Sequence, residues 1–165
     1  MNLADDASTV VTSGFPLSYQ GITSDQVTIS NNGWIQIGGF AGVQMNVWNN
    51  DWDSETGNVY HQTLNDGTDN WFIVQWEDRP RFSGIVGQSV TFQVLVNETT
   101  SEVFYVYEDV IVGGTQATND FGGQGTIGFQ GPQGNIIVSQ NNTTYLTNNS
   151  CVRWYFALCP DPILV

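Results

Sequence analysis

Residues 90–107 read VTFQVLVNETTSEVFYVY, and the rhythm of that stretch decides the fold class. Val90, Phe92, Val94 and Val96 recur at every second position with Thr91 and Gln93 between them, the period of a strand that buries one face. In the following run Val103, Tyr105 and Tyr107 oppose Phe104 and Val106, so both faces are apolar and the strand is expected inside a sheet. Asn97 to Thr100 supply the polar turn that folds the two runs into an antiparallel hairpin.

The same pattern extends in both directions. Short alternating runs occur at Phe15 to Tyr19, Gln26 to Ser30, Trp34 to Ile37, Val43 to Val47, Asn58 to Thr63 and Trp71 to Trp76. Beyond the central hairpin they continue at Thr126 to Phe129, Ile136 to Ser139 and Cys151 to Phe156. Turn formers separate them: Ser30-Asn31-Asn32-Gly33 for a tight hairpin, Leu64 to Asn70 for another, and a glycine-rich stretch, Gly113-Gly114 through Gly122-Gly123, expected to be mobile or ligand-facing. Nowhere do apolar residues keep helical spacing for three turns. So many short strands do not make one open twisted sheet, and the expected fold is all-β: a two-sheet antiparallel β-sandwich, jelly-roll-like, of about eleven short strands. The domain is expected to span residues 1–165, with its core over 14–157 and with 1–13 and 158–165 as linkers or edge segments.

Composition narrows the partners. Sixteen acids face three arginines and no lysine, a net charge of -13, which repels phosphate backbones and anionic lipid. Nucleic acid and membrane insertion are therefore not expected. The polar surface comes from Asn, Gln, Thr and Ser, the dress of a secreted β-protein. The start, MNLADDASTVV, has neither the basic nor the apolar region of a signal peptide, so an exported protein would carry this segment within a longer chain, with Pro160-Asp161-Pro162 as a linker. Cys151 and Cys159 invite a local disulfide, but an extended run between them would separate the sulfurs by ~25 Å, and a bond needs α-carbons within ~7 Å.

Two chemistries converge on one loop. In Asn50-Asp51-Trp52-Asp53-Ser54-Glu55, the alternating Asp51, Asp53 and Glu55 offer hard oxygen ligands suited to Ca2+; the other reading is a solvated acidic turn. Trp48 and Trp52 bracket that loop beside Asn50, and flat indoles with a planar amide are what sugar binding needs. The same two indoles equally fit a packing role, Trp48 capping the core and Trp52 lying under the loop. Arg79 and Arg81 flank Pro80 and are expected to pair with Glu77 or Asp78 at the rim. Strand-end acids such as Glu102, Glu108 and Asp109 are explained by solvation, and His61 serves no nucleophile elbow, so no enzyme is expected.

The order of motifs resembles the nidogen-like β-sandwich modules of extracellular proteins and their bacterial relatives. The match rests on Phe15-Pro16-Leu17-Ser18-Tyr19, the Ser30-Asn31-Asn32-Gly33-Trp34 hairpin, Trp48 with the acidic loop, Gly57-Asn58-Val59-Tyr60, Trp71 to Trp76, Val90 to Tyr107 and Gly125 to Phe129. It departs at Asn49 and Asn50, where relatives commonly carry an acid. The resemblance implies a non-catalytic extracellular module of a larger secreted or surface protein, with adhesion to a protein or glycan as its task. A second expectation is a structural subunit that assembles through edge strands, the Asp6 to Thr12 segment among them; a third is a jelly-roll glycoside hydrolase.

Overall fold

The computed structural model describes residues 1, 3–83, 88–140 and 144–155. Eleven strands form two antiparallel sheets. One sheet contains β1 (Ser8–Tyr19), β2 (Ile22–Ser30), β3 (Trp34–Ile37), β4 (Val43–Asn49), β9 (Thr126–Gly131) and β10 (Gly134–Gln140), in that spatial order. The other runs β11 (Ser150–Trp154), β8 (Val103–Asp109), β7 (Ser89–Asn97), β6 (Asn70–Pro80) and β5 (Asn58–Asn65). The chain lays down a four-strand meander in each sheet, returns to add β9 and β10 beside β4, then crosses again to place β11 beside β8.

The two-residue rhythm becomes one buried layer. Val90, Phe92, Val94 and Val96 of β7, with Val103, Tyr105 and Tyr107 of β8, face Val27, Ile29, Ile35, Met45, Val47 and Phe129 of the opposite sheet. Polar tips of buried aromatics tie the layers together. The Tyr107 hydroxyl donates to the Val47 carbonyl at 2.6 Å, the Tyr105 hydroxyl to that of Gly128 at 3.1 Å, and the Trp76 indole to that of Ser30 at 2.8 Å. Burial holds both phenols well above their ordinary range, so they remain neutral donors. The Asn97 side-chain oxygen accepts from the amides of Thr99 and Thr100 and closes the central hairpin.

Two differences from the sequence reading have local causes. β1 begins at Ser8 rather than Phe15 because Ser8 to Thr12 pair with Gln26 to Ser30 at the sheet edge, where neither face is fully covered and alternation carries no apolar signal. Leu3 also lies in the core, so the first residues pack as well as pair. In β6, a bulge between Trp76 and Arg79 inserts one residue against Phe92 and Val90, with Asp78 at φ 52°. That extra residue reverses the parity of the strand. Arg79 therefore points into the protein, where strict alternation would send it to solvent.

Candidate functional site

The loop after β4 turns inward. Trp48 and Trp52 are fully buried, their rings 4.8 Å apart and edge-to-face, both packed on Phe92. The Trp52 indole donates to the Trp48 carbonyl at 2.8 Å. Asn50 is buried too: its amide donates to the Asn119 side chain at 2.9 Å, and its own oxygen accepts the Asp51 amide. The sugar platform expected of Trp48, Asn50 and Trp52 is thus corrected to a core clamp with no indole face open to a ligand. Asn119 belongs to the glycine-rich segment, so that segment is docked against the loop rather than free.

The acidic residues of the loop separate. Asp51 forms an ion pair with Arg81 at 2.7 Å, and its carbonyl also accepts from Arg81 and from the Phe82 amide. Asp53 caps the Ser54 amide at 2.6 Å, and Glu55 is exposed. The expected trio of Asp51, Asp53 and Glu55 is not the carboxylate group that the fold gathers. Asp51 instead meets Asp5 and Asp6 from the turn before β1, with one carboxylate oxygen of each within 4.8 Å of the others. Local desolvation and repulsion from Asp6, Asp53 and Asp51 hold Asp5 above its ordinary value. Asn32 donates to Asp6 at 2.8 Å and so pins the N-terminal turn to the β2–β3 hairpin.

Behind this rim lies Arg79, only 1% exposed. Its guanidinium donates to the carbonyls of Thr56 and Gly57 and to the Asn31 side chain, whose amide in turn donates to the Trp52 carbonyl. Desolvation lowers its pKa, and Asp53 and Asp5 offset that effect at longer range. The expected pairing of Arg79 and Arg81 with Glu77 or Asp78 is therefore replaced by Arg81 with Asp51 and by Arg79 with backbone oxygens. The β6 bulge turns Arg79 inward, and the bridge between Trp52 and Arg81 sets Arg81 beside Asp51. Cys151 is exposed on β11, and Cys159 lies outside the described residues.

A second arrangement forms on the outer face of the five-stranded sheet. Tyr60 pairs with Gln75, Gln75 with Gln93 and Gln93 with Val106, so one row crosses four strands and is polar over the first three. The next row is Gln62, Ile73, Leu95 and Phe104. Tyr60, Gln62, Ile73, Gln75, Glu77 and Gln93 line a cleft of about 400 Å³ with His61 at its wall, and Gln75 and Gln93 continue into a smaller depression beside Val106 and Glu108. Burial lowers the pKa of His61. No hydrogen bond joins the side chains of Gln62, Gln75, Glu77 or Gln93 to another protein group among the described residues. Elsewhere amides are spent on the fold, as at Asn31, Asn46 and Asn50. Trp71 stands on this outer face, where its indole donates to Asp66 at 2.9 Å. Sequence reasoning missed the cleft. Its signal was the polar parity of three strands, each unremarkable alone and meaningful only in register.

Among the described residues no helix is long and apolar enough to cross a membrane. No curated protein and no solved structure matches the chain. A family model described as NIDO related matches residues 1–154, which is nearly the whole chain and contains every strand of both sheets. By that match, and with the paired hairpins and double sheet expected of such a module, the chain belongs to the NIDO-related family.

Proposed function

We propose that this domain is a non-catalytic recognition module that works outside the cell within a larger secreted or surface protein, holding a protein or glycan partner on the outer face of its five-stranded sheet. The observation that carries the reading is the cleft over β5, β6 and β7: its volume lies within the roughly 300–1,000 Å³ range of ligand pockets, and its amides make no hydrogen bond among the described residues. Family membership and the Asn- and Gln-rich, lysine-free composition support an extracellular setting. The test is an array of extracellular-matrix proteins and cell-surface glycans probed with the domain, with product release assayed in parallel. Retention without turnover, lost in Gln93→Arg, is the expected result. Turnover of a bound sugar or peptide would refute it.

A Ca2+ ion at the acidic rim, raised by the composition of the loop and the net charge of -13, is a separate part of the proposal. Millimolar Ca2+ added after EDTA then raises Tm, and Asp6→Asn abolishes the rise; no shift on adding Ca2+ would remove the ion from the reading.

One observation favours the alternative of a fibre or surface-assembly subunit. Strand β10 is the sixth in its sheet and lies opposite a sheet of five, leaving Ile136 51% and Ile137 38% exposed at an edge. No charged residue occurs from Phe121 through Val152 to discourage pairing with another strand. Large ordered assemblies under the electron microscope would favour that alternative over the module.

A further inference from the structure

We infer that the β5–β7 cleft binds a neutral polysaccharide, a ligand class that deepens the recognition role above and rests on it. The geometry supplies three things a hydroxyl-rich pyranose chain requires. The first is a row of planar amides: Gln75 and Gln93 are cross-strand partners, so they stand side by side on one face, with Gln62 one row away. An amide both donates and accepts, which matches the alternating donor and acceptor character of sugar hydroxyls. These amides and the Glu77 carboxylate make no competing bond within the described residues. Their capacity is available without dismantling any part of the fold.

The second is an apolar surface flush with the polar groups. Tyr60 stands on the edge strand 45% exposed, and Ile73 lines the cleft beside it. A phenol ring with one open face receives the C–H side of a pyranose while leaving its hydroxyl to hydrogen-bond. The third is extension. Gln75 and Gln93 also line a separate small depression of about 30 Å³ toward Val106, so the two hollows lie in line from the edge strand toward the sheet interior, an arrangement suited to a polymer rather than to one ring alone.

Charge selects among sugars. No lysine or arginine lines the cleft or its continuation, Glu77 and Glu108 stand along it, and the whole chain carries -13. Sulfated, sialylated and uronate-rich chains would meet a net negative field there. A neutral glycan loses nothing to this field.

The experiment is affinity gel electrophoresis of the domain in mixed-linkage β-glucan, galactomannan and arabinoxylan, with heparin and polygalacturonate as anionic controls. At least one neutral polymer is expected to retard migration and neither anionic one to do so. In titrations with the retarding polymer, Tyr60→Ala and the double variant Gln75→Ala/Gln93→Ala are expected to weaken Kd by about tenfold or more. Phe40→Ala, at a fully exposed side chain remote from this cleft, is expected to leave Kd unchanged. All the substitutions lie on exposed or partly exposed positions, and circular dichroism verifies folding before binding is measured. Retardation by heparin or polygalacturonate alone, by no polymer, or equally by the cleft variants would overturn the assignment. Capture of a matrix protein through the same cleft, lost in the double variant while no polysaccharide binds, would overturn the glycan and leave the recognition module standing. Release of reducing sugar would overturn both.

Discussion

Arg79 is the residue on which the rim depends, because a cation 1% exposed must be satisfied where it stands. It has backbone carbonyls and one amide oxygen as partners, with carboxylates acting only from a distance. Arg79→Met would leave the carbonyls of Thr56 and Gly57 and the Asn31 oxygen without a donor, and should cost about 3 kcal/mol in urea unfolding. Asp5 acts in the opposite sense. Its pKa is raised on folding, so its ionised form burdens the native state; stability at this site is fully present below about pH 3.8 and is lost as pH rises through the folded value. Asp5→Asn should therefore raise Tm at pH 7, and the gap from the parent protein should close as pH falls toward the ordinary carboxylate range. A gap independent of pH would contradict this account.

The β2–β3 hairpin shows how an element constrains its surroundings. Gly33 closes the turn at φ +77°, and a β-carbon there would lie 2.2 Å from the Trp48 carbonyl oxygen. Gly33→Ala therefore combines a strained dihedral with a backbone collision, and a loss of at least about 2 kcal/mol, read as a lowered denaturation midpoint, is expected. At the far side of the same sheet, β10 is the edge strand, with Ile136 and Ile137 exposed. Ile136→Lys should change the unfolding free energy by no more than about 0.5 kcal/mol and abolish any concentration-dependent association seen by sedimentation. These elements also mark what could be read in advance. The hairpins at Gly33 and at Asn97 to Thr100 were legible because their turn chemistry is local. The start of β1 was not, since an edge strand with partly covered faces carries no apolar alternation.

For the whole molecule, 16 acids against three arginines, with two ion pairs among the described residues, make self-repulsion a global term. Raising NaCl from about 10 mM to about 500 mM shortens the screening length from ~30 Å to a few ångströms and should raise Tm; a fall would mean that ion pairs dominate. The sequence by itself determined the all-β class, the antiparallel hairpins and the inward parity of Val90, Phe92, Val94 and Val96, because a two-residue period and a turn are properties of adjacent residues. Tertiary structure alone decided the sites. It buried Trp48 and Trp52 against Phe92, reversed Arg79 through one inserted residue, carried Asp5 and Asp6 to Asp51, and set Gln75 between Tyr60 and Gln93. Those neighbours are distant in sequence and meet only through register and the stacking of two sheets, which no local pattern encodes.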